Sequence, residues 1–226
     1  ILYYEYLLLK NHLNDSEYII KLIDNKKQYY SKSNRFAILF IELLNETLTK
    51  KKDMNKLSID VIKDIGIQLI ESIKYIHSNK YIYLNLNPDN IMFDKTNKLK
   101  LINFDFCGQY LNNYSEFYEN VLLKNPIGNS IYSSININKS YSGLRIDDIE
   151  SILWILLYLL DKDIITDIIN QKSLKKIIKC KEKYIMNYLL GRDIFIFNFI
   201  EELKKYDNIN NKRPDYQKFI NILKNN

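Results

Sequence analysis

The side chains best placed to do chemistry flank two short apolar runs between Tyr83 and Gly108. Asn85, Asn87, Asp89 and Asn90 precede Ile91-Met92-Phe93, and Asn103 and Asp105 follow Leu99 to Ile102. An asparagine amide donates and accepts hydrogen bonds, but it carries no charge and is not a base near pH 7. Asp89 and Asp105 are the carboxylates among these residues. Pro88-Asp89-Asn90 is turn chemistry, because Pro fixes φ and Asp and Asn bond their own backbone. Ile91 to Phe93 reads as a short strand, Asp94 to Lys98 as a polar turn, and Leu99 to Phe104 as a buried strand. The polar groups should therefore collect at the ends of a strand–turn–strand unit.

The rest of the chain must hold that unit. Residues 1–13 read as an apolar helix with one early carboxylate, Glu5. Tyr18 to Leu22 and Phe36 to Leu44 read as strands, with a polar hairpin region from Asp24 to Asn34 between them. Asn45 to Asn55 is polar and Lys-rich, and reads as a linker or loop. Ser58 can cap a helix whose apolar positions Ile62, Ile65, Leu69, Ile73 and Ile76 recur at helical spacing, ending near His77. Leu111 to Asn125 and Ile127 to Asn138 show no clear period. Ile149 to Leu160 is apolar on nearly every face, so it belongs at the centre. Ser173 to Leu190, Ile194 to Lys205 and Asp215 to Lys224 complete a helical body, with a turn region from Asp207 to Pro214 before the last.

Composition narrows the function classes. At 226 residues and 46% hydrophobic content the chain can bury a sizeable core. The net charge of +6 and pI near 9.0 rest almost wholly on Lys, with only four Arg. Ile, Asn, Lys and Tyr share A/T-rich codons, so the charge points weakly to nucleic acid. The runs Lys50-Lys51-Lys52 and Lys172 to Lys183 read as solvated faces. Cys107 and Cys180 make no disulfide framework, and no signal peptide is visible, which suits a reducing, cytoplasmic location. The longest apolar run, Ile152 to Leu160, is about half a membrane span, so no membrane segment is expected. His12 and His77 read as structural.

Three separated stretches then fit one family in the right order. Tyr83 to Asn90, Y-L-N-L-N-P-D-N, followed by Asn103-Phe104-Asp105, N-F-D, resembles the protein-kinase catalytic loop H-R-D-x-x-x-x-N and the D-F-G loop. Residues 128–154, G-N-S-I-Y-S-S-I-N…L-R-I-D-D-I-E-S-I-L-W, resemble the casein kinase 1 and vaccinia-related kinase branch. In that branch S-I-N, here Ser134-Ile135-Asn136, stands where other kinases carry A-P-E. Arg213-Pro214-Asp215-Tyr216 is similar to the K-P-D-Y before the branch's final helix. Glu5 fits the helix-C glutamate, and I-L-F-I-E-L-L, holding Glu42 and Leu44, fits the strand leading to the hinge.

The resemblance implies an α+β, protein-kinase-like fold. Residues 1–44 would form a partial N-lobe of helix C and two strands, and residues 45–226 a mostly helical C-lobe. The family's first three strands, with the Gly-rich loop and its Lys, are expected to lie outside this sequence. The resemblance also assigns roles. Asn85 and Asn87 stand at the catalytic Asp and Lys positions. Glu5, Glu42, Leu44, Asn90 and Asn103 stand in the ATP site, and Asn90, Asn103 and Asp105 at the Mg²⁺ positions. Tyr83, Phe104, Asp148 and Arg213 are structural. Leu84 replaces the Arg of H-R-D, which reads an activation-loop phosphate.

Phosphoryl transfer asks a protein for positioning and charge. Asn85 cannot supply the general-base help, worth about 10²–10⁴-fold, that a carboxylate gives. Asn103 offers Mg²⁺ an oxygen without charge. Three readings follow. The chain is a pseudokinase that binds a kinase, a substrate or a regulator; or a weakly active Ser/Thr kinase using ATP and Mg²⁺; or a Lys-rich binder of acidic surfaces or nucleic acid.

Overall fold

The computed structural model describes residues 2–23, 29–30, 37–54, 57–112, 114–188, 193–206 and 212–225. In chain order the elements are α1 (Leu2–Asn11), β1 (Tyr29–Tyr30), β2 (Ala37–Ile38), β3 (Glu46–Thr47), α2 (Leu48–Met54), α3 (Ile59–Ser78) and β4 (Tyr81–Ile82). A 3₁₀ turn at Pro88–Asn90, β5 (Ile91–Phe93), β6 (Leu99–Leu101) and β7 (Gly108–Gln109) follow. The remainder is helical: α4 (Ile135–Asn138), α5 (Arg145–Leu160), α6 (Lys162–Ile169), α7 (Leu174–Tyr188), α8 (Ile194–Leu203) and α9 (Tyr216–Asn225). The architecture is mostly helical with short strands, as the sequence implies.

α3 starts where Ser58 accepts the Val61 N–H at 3.4 Å and Asp60 complements the dipole of the first turn. Its buried face, Ile62, Ile65, Leu69, Ile70, Ile73 and Ile76, packs on α5 and α9. Gly66 lets these helices approach: a Cβ there would sit 2.8 Å from Leu223 Cδ1 and 3.0 Å from Leu156 Cδ2. α5 is buried on nearly all sides, from Arg145 through Leu159. Each fully buried Leu or Ile there contributes roughly 1.5–3 kcal/mol relative to exposure, so this helix anchors the body.

β5 and β6 form an antiparallel hairpin in the register Ile91↔Leu101 and Phe93↔Leu99, with β3 on the outer edge of β5. Asp94 Oδ1 closes the turn by accepting the Thr96 and Lys98 N–H groups at 2.8 and 3.0 Å. β4 pairs with β7, which ties the two ends of the polar stretch together. The N-terminal segment reaches the far edge, where Ile20 N–H donates to the Leu101 carbonyl at 3.1 Å.

Several elements differ from their sequence reading. Residues Tyr18 to Leu22 form isolated bridges, Ile19 to Leu101 and Leu22 to Ile41, rather than a strand. Of the second expected strand, Ala37–Ile38 is strand, pairing with β1, and Phe36 lies outside the described residues. Most of the Asp24–Asn34 hairpin region and residues 207–211 of the last turn region also lie outside them. The expected loop from Asn45 contains β3 and α2, because Leu48 is fully buried and Lys51 and Lys52 lay their ammonium groups over the Phe93 and Tyr158 rings, at 4.5 and 3.7 Å. Lys51 and Lys52 of the first run thus cover aromatic surface, while Lys50 is exposed. α6, unforeseen, is capped by Asp161 and buries Ile164, Ile165 and Ile168. α4 interrupts the expected irregular stretch, capped by Ser134.

Candidate functional site

The loop between β4 and β5 is shaped from below by Asp148 in α5. Its buried carboxylate accepts the Tyr83 N–H on Oδ2 and the Leu84 N–H on Oδ1, each at 2.8 Å. It also meets His77 Nε2 at 2.9 Å, and His77 Nδ1 meets the Tyr216 hydroxyl at 2.8 Å. A neutral imidazole that donates from Nε2 and accepts at Nδ1 satisfies all four groups. Burial holds the His77 pKa below its ordinary value, with Asp148 pulling the other way. His77 is therefore a structural link between α3, α5 and α9.

This grip holds an unfavourable backbone. Leu84 sits at φ 56°, where a bulky side chain costs roughly 1–2 kcal/mol. Gly128 and Gly143 crowd it: a Cβ on Gly128 would lie 2.5 Å from the Leu84 carbonyl oxygen, and one on Gly143 2.9 Å from Leu84 Cδ1. The Leu84 side chain packs in a small cluster with Ile82, Tyr110 and Ile137. Asn103 also has positive φ, 60°, a conformation asparagine tolerates.

The four asparagines converge. Asn87 Oδ1 caps the 3₁₀ turn, accepting from the Asp89 and Asn90 N–H groups at 3.0 and 3.1 Å. Asn85 Nδ2 donates to the Asn103 carbonyl at 3.0 Å. Asn90 Nδ2 and Asn87 Nδ2 both donate to the Asn85 carbonyl, at 2.9 and 3.2 Å. Asn103 Nδ2 reaches Asn90 Oδ1 at 3.4 Å, and Asn103 Oδ1 takes the Asp105 N–H at 3.4 Å. The result is a set of neutral amides joined mainly through backbone groups.

α1 docks on the far side of Asn103. Glu5 Oε1 accepts the Phe104 N–H at 3.0 Å, and the Tyr4 hydroxyl donates to the Cys107 carbonyl at 2.8 Å. Burial raises the Glu5 pKa, with Phe104's N–H opposing and the Asp105 charge adding to the rise. Phe104 and Tyr83 meet edge to face, 5.2 Å between centroids, and Leu9 shares their core. Hydrogen bonds or ring contacts thus join Glu5, Asn85, Asn87, Asn90, Asn103, Phe104, Asp105 and Tyr83. Among the described residues no hydrogen bond joins Glu42, Leu44 or Arg213 to them. Glu42 accepts the Lys21 N–H at 2.8 Å and pairs with the buried Lys100 at 3.1 Å. Leu44 is half-buried against the core. Arg213 is exposed, its guanidinium 5.9 Å from the Tyr216 ring centroid.

A hard divalent cation favours carboxylate oxygens. At these positions stand the amide oxygens of Asn90 and Asn103, both already engaged with each other or with backbone, and the exposed carboxylate of Asp105. Asp89 is drawn away, its Oδ1 accepting from Thr49 Oγ1 at 2.7 Å. That donor set does not fit a resident Mg²⁺.

The segment after the site is fixed by groups that the sequence reading did not single out. Asp147 accepts Ser134 Oγ at 2.6 Å, Asn136 Nδ2 at 2.8 Å and the Leu144 N–H at 2.6 Å. Glu150 accepts the Ile135 N–H at 2.8 Å and the Trp154 indole at 3.1 Å. Lys181 is fully buried; it donates to the Ser130 and Ser133 carbonyls and to Asn138 Oδ1, and lies 4.9 Å from the Trp154 ring centroid. One Lys of the second run is thus a core residue rather than part of a solvated face. Asp147 and Glu150 fall within the D-D-I-E motif; Lys181 had no signal beyond its place on the apolar side of α7.

A helical body beneath a short hairpin, with one buried carboxylate clasping the loop between β4 and β5, is the architecture of a kinase catalytic lobe. The protein kinase domain family matches residues 2–224, and the chain belongs to that family. It is similar to a probable casein kinase I homologue of Encephalitozoon cuniculi, 30% identical over 95 residues, which are 42% of this chain and 30% of the relative. The aligned segment spans under a third of that relative's length. No helix among the described residues is long and apolar enough to cross a membrane.

Proposed function

We propose that this chain is a pseudokinase of the casein kinase 1 and vaccinia-related kinase branch, acting in the cytoplasm by binding a kinase, a kinase substrate or a regulator. The observation that carries the reading is the amide cluster. Asn85, at the base position, donates its amide N–H to the Asn103 carbonyl and, being neutral, cannot act as a base. Leu84 supports it: where an Arg would read a phosphate, an apolar side chain packs with Ile82, Tyr110 and Ile137. The branch rests on Ser134-Ile135-Asn136 and on the D-D-I-E carboxylates that hold it. The full-length protein, given radiolabelled ATP and Mg²⁺, is expected to transfer no phosphate to casein or to itself. Transfer that Asn90→Ala abolishes would overturn the reading.

A weakly active Ser/Thr kinase is the second reading. It is favoured by Asp105, an exposed carboxylate two residues from Asn103 whose N–H already contacts that amide. It requires Mg²⁺-dependent ATP binding, visible as a rise in melting temperature; the pseudokinase reading expects none.

A further inference from the structure

A concavity of about 330 Å³ opens where the end of α3 meets the starts of α5 and α9. Lys74, Lys80, Arg145 and Arg213 line it, with His77 and Tyr216 on its walls. Four basic residues line one small space, none of its lining residues is a carboxylate, and Arg145 already engages other groups of the protein. Two nearby carboxylates are already engaged. Glu71 pairs with Lys74 at 2.9 Å on the surface, a contact of the kind that contributes little. Asp148 is fully buried, and both its oxygens are taken by the Tyr83 and Leu84 N–H groups and by His77.

One of these cations is held firmly in place. The Arg145 guanidinium is buried, 4.7 and 5.3 Å from the Tyr110 and Phe117 ring centroids. The Lys80 backbone is fixed at φ 71° just beyond the end of α3, its N–H on the His77 carbonyl at 3.1 Å, which sets where its side chain leaves the chain. Lys80 and Arg213 themselves are exposed.

We propose that this cleft binds a dianionic phosphate monoester. A point cluster of guanidinium and ammonium groups matches one phosphate, with three acceptor oxygens and a charge of about −1.5 to −2 near neutral pH. It does not match a polynucleotide, which needs a charged track and open rings for bases. The Tyr110 and Tyr216 rings at this cleft are already covered, by Arg145 and Arg213. The cleft shares no side chain with the amide cluster, so the inference stands whether or not the chain transfers phosphate.

The test uses the full chain and a labelled Gly-Gly-phosphoserine-Gly-Gly peptide, followed by fluorescence anisotropy at low salt. Binding is expected to saturate, to be displaced by inorganic phosphate, and to be at least tenfold weaker for the unphosphorylated peptide. Lys80→Glu with Arg213→Glu should lower the affinity at least tenfold, and the milder Lys80→Gln with Arg213→Gln several-fold, with circular dichroism unchanged because both side chains are exposed. If inorganic phosphate competes mole for mole as well as the peptide does, the source is a small phosphate; if the peptide binds tighter, the phosphate is protein-borne. Affinity untouched by either pair of substitutions, or a 12-nucleotide single strand bound more tightly than the phosphopeptide and lost in the same variants, would overturn the proposal.

Discussion

Replacing Asp148 with Ala removes the acceptor for three buried donors at once: the Tyr83 and Leu84 N–H groups, both at 2.8 Å, and His77 Nε2 at 2.9 Å. Orphaning a buried donor costs about 1–3 kcal/mol, more where the lost acceptor is charged. The two backbone groups alone therefore set a loss of about 3–6 kcal/mol. Leu84 gives back roughly 1 kcal/mol by leaving its left-handed conformation, so the net is about 2–5 kcal/mol. Against a domain stability of about 5–15 kcal/mol, that is enough to empty much of the folded state under mild urea. Trp154, the sole tryptophan, is fully buried in the same helix and reports unfolding by fluorescence. Asp148→Asn keeps one acceptor oxygen and should lose less, about 2 kcal/mol. A loss below about 1 kcal/mol for Asp148→Ala would show that the loop is held by packing, and the reasoning about its shape would fail.

Lys181→Met strips three buried acceptors and leaves Glu150 without its nearby cation; it should cost about 2–4 kcal/mol, read as a fall of roughly 5–15 °C in Tm. Burial pushes the Lys181 pKa down to about 7, against the pull of Glu150. Between pH 7 and 10.5 the unfolded chain then holds a proton that the folded chain lacks, so this contribution is full above 10.5 and lost as pH falls through 7. Urea titrations at pH 7 and 9 should accordingly show wild type gaining stability with pH relative to Lys181→Met. Gly128→Ala places a Cβ 2.5 Å from the Leu84 carbonyl at φ 71°, and should cost about 2–4 kcal/mol in the same assay. Asn103→Asp should give the protein a Mg²⁺-dependent rise in Tm that wild type lacks, checked by differential scanning fluorimetry with and without chelator.

α3 was readable because two independent signals agree, a Ser58 cap and an unbroken helical period. α5 begins four residues earlier than its apolar pattern, at Arg145 rather than Ile149. Asp148 was legible as a structural residue through the resemblance, but Arg145 and Asp147 look like surface charge in one dimension; all three are buried. Their partners, Tyr110, Ser134, Asn136, Tyr83 and His77, lie elsewhere in the chain, beyond any local pattern. The same blindness hid Lys52 and Lys181, whose stems and ammonium groups serve the core. At the site, motif spacing gave the positions of Asn85, Asn90 and Asn103, but nothing in it says that the amides bond the loop's own backbone and, at Asn90 and Asn103, one another. Nor does a 71-residue separation reveal that His77 meets Asp148.

The amide cluster has a consequence for how the loop behaves in a cell. Carboxylates at Asn85 and Asn103 would repel one another whenever free divalent ions ran low, and the loop would relax or tighten with the ionic supply. Neutral amides store no such tension. The loop held by Asn85, Asn87, Asn90 and Asn103, the first and third of them buried, therefore keeps one shape across fluctuations of free Mg²⁺.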